Sequence, residues 1–274
     1  MLRTRILTGC VLGALLLLGV FLLPPFWAVL AFGAVFTIAA WEWAGFGLLQ
    51  GSIARASYAF AVALVLLLSW RWTGDSGHLI VLLSAACAWW LIAFLWLAFA
   101  PGRHRPALTL ICGLAVLVPA FAALARLQIS GPGGGRSAPH GPLAVLWLVL
   151  MVCAADIGAY AAGRAFGQRK LAPRVSPGKT WEGALGGIAM VALVAGGGAA
   201  YFRLSPLAVV LFGCGVGIFS IIGDLTESMF KRAAALKDSG TLLPGHGGLL
   251  DRIDSVTAAA PLYALGLFGA GVLA

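Results

Sequence analysis

Runs of roughly 17–23 residues with almost no charge recur along this chain, and each is long enough to cross about 30 Å of hydrocarbon as a helix. Inside lipid a backbone has to satisfy its own hydrogen bonds, which makes the helix the natural form for such runs. With 61% hydrophobic residues among 274 and a mean hydropathy of +1.00, an ordinary soluble domain is excluded. The expected fold is all-α, a polytopic integral membrane protein of about nine transmembrane helices. Hydropathy places them at about 6–23, 26–41, 56–70, 78–100, 107–126, 143–162, 183–202, 207–223 and 256–273. The breaks carry loop chemistry, among them Pro24-Pro25, Pro101 to Pro106 and Gly131 to Pro142. Met1 to Arg5 and the apolar run to Leu23 imitate a signal peptide, but no small-residue cleavage site follows. That segment reads as an uncleaved first helix. The five cysteines stand singly in apolar runs, without metal-site spacing or a disulfide framework, and read as packing residues. Gly186-Gly187, Gly213, Gly215 and Gly217 read as points of close helix packing.

The cations lie in short loops between the apolar runs. With a cytoplasmic N-terminus, alternate loops give that side fourteen of the eighteen Lys and Arg, a strong positive-inside bias. An odd number of spans then leaves the C-terminus outside, and the polar segments of the second half fall on the cytoplasmic face. A net charge of +9 distributed in this way suits topology and anionic membrane lipid. A nucleic-acid partner is not expected.

The acids are more sharply segregated. Only Glu42 and Asp75 lie in the first half, while the other seven acids and all four lysines lie from Asp156 onward. Topology can account for a basic loop, but it does not require acids beside it. Residues 1–142 are therefore expected to form a transmembrane scaffold of about five helices. Residues 143–274 are expected to be a catalytic region of about four helices, with polar loops at 163–182 and 224–255.

Three constellations stand out in that second half. If the eighth helix continues past Asp224, then Asp224, Ser228 and Lys231 share one face at i, i+4 and i+7. A carboxylate, a hydroxyl and an ammonium in that order could reach a metal and a phosphate together, although a solvated helix end with an intrahelical ion pair has the same spacing. The second is Leu243-Pro244-Gly245-His246-Gly247-Gly248-Leu249-Leu250-Asp251-Arg252-Ile253-Asp254. Its glycines free the backbone to approach an anion, and Asp251 and Asp254 offer hard oxygen donors that suit Mg²⁺. The plainer reading is a Gly-rich turn with Asp caps at a helix start, and for His246 a turn or hydrogen-bonding role is favoured over a ligand or base. The third runs from Gly163 to Gly183. Ser176-Pro177-Gly178-Lys179 resembles a phosphate turn without the full GxxxxGK[ST] pattern or a strand before it, and Thr180 or Ser176 could cap the seventh helix. Asp156, about two turns inside the sixth span, is a functional candidate because an acid at that depth is costly.

Together these residues resemble a known signature. Ser228-x-Phe230-Lys231-Arg232-x4-Lys237-Asp238-x-Gly240-x2-Leu243-Pro244-x-His246-Gly247-Gly248-Leu249-x-Asp251-Arg252-Ile253-Asp254 resembles that of the phosphatidate cytidylyltransferases, or CDP-diacylglycerol synthases, without departure across 27 positions. Ser176 to Gly183 and Gly223-Asp224-Leu225-x-Glu227-Ser228 resemble that family too. The resemblance implies that CTP and phosphatidate give CDP-diacylglycerol and pyrophosphate in phospholipid biosynthesis, with Mg²⁺. It further implies a homodimer in a bacterial inner (cell) membrane, with a cavity open to cytoplasm and bilayer. By the same resemblance, Asp224 and Asp251 hold the metals, with K⁺ a candidate second cation, and Ser228, Lys231 and Lys237 lie at the same centre. Lys179, Arg232, His246, Gly247, Gly248 and Arg252 are expected around the phosphates, with Asp156, Asp238 and Asp254 in support. Two rivals remain at this point: a CTP-dependent lipid kinase, and an ion-coupled transporter, whose acids would sit nearer mid-membrane.

Overall fold

The computed structural model describes residues 2–49, 51–102, 105–131, 141–202, 205–245 and 247–273. The first half holds α1 (Leu2–Phe21), α2 (Pro25–Phe46), α3 (Ser52–Trp72), α4 (Ser76–Phe99) and α5 (Pro106–Ile129). The second holds α6 (Gly141–Phe166), the strands β1 (Lys170–Ala172) and β2 (Ser176–Thr180), α7 (Trp181–Phe202), α8 (Pro206–Ala233) and α9 (Leu250–Gly269). Among the described residues, seven helices, α2 to α8, are long and apolar enough to cross a membrane, and α1 has a shorter apolar stretch, Leu7–Phe21. The opening turns of α9 carry Asp251, Arg252 and Asp254, which dilute its apolar character. The chain is thus an all-α integral membrane protein, with a helix at each place where hydropathy put a span.

The membrane helices pack through small residues, because lipid supplies no hydrophobic drive between them. α6 and α7 meet backbone to backbone: a Cβ added to Gly158 would lie 2.5 Å from the carbonyl oxygen of Gly186, and one on Gly187 would lie 2.7 Å from that of Ala155. Gly223 plays the same part between α8 and α9, where a Cβ would come 2.7 Å from the Asp254 carbonyl oxygen. Large apolar side chains such as Phe26, Ile53, Phe60 and Leu193 face outward, as a lipid-facing wall requires. A continuous apolar core runs from Val20 to Leu273 and draws on both halves of the chain. Within it the Trp43 indole packs on Phe230, ring centroids 5.1 Å apart, and donates to the Thr109 carbonyl at 2.8 Å. That contact pins α2 between α5 and α8, beside the polar segment.

One local expectation needs correction. Ser176 to Thr180 is not a turn without a preceding strand: it is β2, paired antiparallel with β1 through Lys170–Thr180 and Ala172–Ser176. Outside the apolar spans the chain is free to pair with itself here. The Trp181 amide closes the hairpin onto the Arg169 carbonyl at 2.9 Å, and the Glu182 carboxylate accepts from the Gln168 and Arg169 amides at 3.1 and 3.2 Å. Thr180 caps α7 as expected, its hydroxyl accepting from the Gly183 amide at 3.1 Å.

Candidate active site

α8 does continue past Asp224, so Asp224, Glu227, Ser228 and Lys231 lie along one side of it toward α9. α9 starts with Asp251 and Asp254 and packs against that side. The resulting polar seam has two ends, each built on a carboxylate paired with an ammonium.

At one end the Lys179 ammonium, delivered by β2, pairs with the Asp224 carboxylate, whose other oxygen accepts from the Ser228 hydroxyl at 3.4 Å. Both members of that ion pair line a cavity of about 410 Å³ with Asp156, Tyr160, Arg164 and Ser255. Asp156 lies within electrostatic reach of Asp224, Lys179 and Arg252. The Arg164 guanidinium donates to the Tyr160 hydroxyl at 2.9 Å, one turn back on α6.

At the other end Lys231 bridges two carboxylates, with Nζ 2.5 Å from Asp251 Oδ1 and 3.0 Å from Glu227 Oε1. The contact with Glu227 is an ion pair without hydrogen-bond alignment, and among the described residues neither oxygen of this 3%-exposed carboxylate has a hydrogen-bond partner. Asp251 is far better satisfied. Its Oδ2 accepts from the Ser239 amide at 2.9 Å, the Ser239 hydroxyl at 3.0 Å and the Gly248 amide at 2.9 Å. Asp254 lies between the two ends, within electrostatic reach of both Asp224 and Glu227.

A second cavity adjoins the first. Leu171, Ala184 and Ile221 line both, and beyond them a groove of about 450 Å³ runs between α4, α7, α8 and the hairpin. Its lining is apolar (Phe94, Leu97, Ile188 and Ile218 among others), with Arg174 as its one cation among the described residues.

The remaining expected residues are more peripheral. Arg232 is exposed and ties the hairpin to the end of α8, donating to the Val175 carbonyl at 3.4 Å and the Leu236 carbonyl at 3.1 Å. Lys237, Asp238 and Arg252 are exposed beside the seam. Gly247 takes a positive φ of 80°, and the glycine-rich turn does wrap an anion, but the anion is the chain's own. His246 lies outside the described residues. One buried acid beside the seam was given no role by the sequence. Glu42, on α2, is 4% exposed and accepts from the Ser239 hydroxyl and from the Leu249 and Leu250 amides, across 197 to 208 residues of sequence. The available signal was a carboxylate within an otherwise apolar span, which calls for a partner.

The chain matches the cytidylyltransferase family over residues 3–268. It is 39% identical to a phosphatidate cytidylyltransferase of Haemophilus influenzae, over 96% of this chain and 97% of that protein. A phosphatidate cytidylyltransferase of Pseudomonas aeruginosa is 42% identical over 99% of this chain and 98% of its own length. One from Synechocystis is 47% identical over a shorter stretch of 126 residues, 45% of this chain and 43% of that protein. Similarity that runs nearly end to end takes in the helices, the hairpin and the charged seam together, and the chain belongs to the cytidylyltransferase family.

Proposed function

We propose that this protein transfers the cytidylyl group of CTP to phosphatidate, releasing pyrophosphate and leaving CDP-diacylglycerol in the membrane. The observation that carries this reading is the sharing of one wall by a charged cavity and an apolar groove. Phosphates suit the first and acyl chains the second, so one lipid phosphate can lie across both. Full-length similarity to proteins named for this activity supports it further.

The charge balance of the reaction fits the seam. A phosphate monoester with a second pKa of about 6 is already an anion at neutral pH, so no general base is needed. The barrier is the approach of that anion to a triphosphate, and positioned cations should supply most of the catalysis. Lys179 and Lys231 already stand in the seam, Arg164 lines the charged cavity, and the exposed Lys237 and Arg252 would take outlying phosphate oxygens.

Mg²⁺ fits this donor set in a particular way. Among the described residues no three His, Cys, Asp or Glu side chains form a ready cage. Mg²⁺, however, commonly takes one or two carboxylates and completes its shell with water and substrate phosphates. Asp224 lines the charged cavity and offers a carboxylate at the point where a substrate phosphate would enter. Asp224 and Asp251 are the carboxylates that would hold the ion, each now paired with a lysine. When bound, the ion supplies Lewis-acid polarisation of the attacked phosphorus. The positive-inside bias favours a site on the cytoplasmic face of a bacterial inner membrane, with the N-terminus inside and the C-terminus outside.

The test is product identification from purified protein, phosphatidate and CTP labelled in the cytosine, with and without Mg²⁺. Labelled CDP-lipid with one pyrophosphate per turnover is the expected result. Release of labelled CDP with a phosphorylated lipid would mean a kinase and overturn the reading.

A further inference from the structure

The glycine-rich segment that carries Asp251 is held only in part by its own neighbours, through the Gly248 amide on Asp251 and the Leu243 amide on the Gly247 carbonyl. The N-cap residue of α9, Leu249, offers no side-chain cap, and a helix start leaves amide groups in need of acceptors. For the Leu249 and Leu250 amides the acceptors come from α2. Glu42 Oε1 accepts from the Leu249 amide at 3.0 Å, and Oε2 accepts from the Leu250 amide at 2.8 Å and the Ser239 hydroxyl at 2.9 Å. A carboxylate at a helix N-terminus is also favoured by the helix dipole. The fit is close enough to exclude side chains around it. A Cβ on Gly240 would lie 2.5 Å from Glu42 Oε1, and one on Gly248 would lie 2.5 Å from Oε2. The Ser239 hydroxyl stands between two carboxylates, 2.9 Å from Glu42 and 3.0 Å from Asp251, and its single proton serves one of them at a time.

We propose that Glu42 is a positioning residue, which seats Ser239, Leu249 and Leu250 and with them the start of α9, so that Asp251 meets Lys231. A buried carboxylate with three donors is an anchor, since burial without them is costly. Glu42 lines neither cavity, so it acts through Ser239 and the α9 amides and has no direct contact with the site that receives substrate. The kinetic part of this proposal rests on the cytidylyl-transfer reading, and the structural part does not.

The test uses the full chain in lipid nanodiscs, as wild type and as Glu42→Gln. Glutamine keeps the shape but puts an NH₂ donor where one of the amide donors expects an acceptor. Hydrogen exchange at the Leu249 and Leu250 amides is expected to speed up by about tenfold, as for loss of one hydrogen bond to a charged acceptor, with α4 and α5 unchanged. The KM for CTP should rise by a similar factor of about ten while that for phosphatidate stays put, and the melting temperature should fall by only about 3–6 °C. A merely smaller folded fraction would lower kcat and leave both KM values alone. Should Glu42→Gln fail to fold, Glu42→Asp carries the same test, because it keeps the charge and only shortens the reach. Wild-type exchange at 249–250, or faster exchange spread over all helices with an unchanged KM for CTP, would overturn the proposal. If the wild type makes no CDP-lipid, the activity reading falls and the exchange result alone decides the role of Glu42.

Discussion

Lys231→Met removes the ammonium that bridges Glu227 and Asp251 while keeping an unbranched chain of similar length. The environment makes the loss expensive. The Lys231 side chain is 10% exposed, and those of Glu227 and Asp251 are 3% and 8% exposed, so solvent screens little of the pairing. Removing one partner of a buried ion pair costs about 3–5 kcal/mol, because the charge left behind stays desolvated. The two carboxylates do not suffer equally. Asp251 keeps the Ser239 and Gly248 donors, whereas Glu227 loses its nearest cation and, among the described residues, has no hydrogen bond to fall back on. The lower end, about 3 kcal/mol, is therefore expected, equivalent to a fall of roughly 6–12 °C in melting temperature for a chain of this size. Adding Glu227→Gln to Lys231→Met should return about 1–2 kcal/mol, the signature of coupling between contacting residues. Unfolding curves in detergent for the four members of that cycle measure both numbers. A Lys231→Met loss below about 1 kcal/mol, or strictly additive single changes, would refute the claim that this buried ammonium stabilises the carboxylates it bridges.

Other outcomes follow from the same geometry. Gly248→Ala places a methyl 2.5 Å from Glu42 Oε2 and 2.7 Å from the Gly240 amide. It should cost about 1–3 kcal/mol in unfolding experiments, and wild-type stability would contradict the packing described. Ile218→Trp narrows the apolar groove from its own wall. Turnover of long-chain phosphatidate should fall by about tenfold relative to a short-chain substrate, and an equal effect on both would remove the groove from lipid binding. Thr180→Val removes the cap of α7 and should cost about 1 kcal/mol, read from the same unfolding curves. His246→Ala should slow turnover without removing an ionisation from the pH–rate profile, and a missing limb would show that a base is used after all.

What the sequence made legible were features with short-range causes. Charge-free runs specify helices wherever they occur, so α2 to α8 fell where hydropathy put them. The spacing of Asp224, Ser228 and Lys231 pointed to one helical face, and α8 supplies it because nothing between Gly223 and Ala233 breaks a helix. Long-range contacts were not legible. Glu42 reads locally as an acid near the end of a span, and its partners lie about 200 residues away, brought near by the packing of Trp43 on Phe230. The hairpin escaped notice because Ser176-Pro177-Gly178-Lys179-Thr180 has turn chemistry and gains its pairing only from Lys170 and Ala172. Asp251 was visible as an important carboxylate, but its donors on Ser239 and Gly248 depend on how the intervening glycines fold.

Turnover by Asp224→Asn shows whether cytidylyl transfer depends on this carboxylate, which faces the charged cavity and pairs with Lys179. Asparagine preserves the shape and removes the charge that would hold a cation there. Purified and matched to wild type in its unfolding curve, the variant should make CDP-lipid from CTP and phosphatidate about a hundredfold more slowly, or not at all. Conversion at near the wild-type rate would contradict the account.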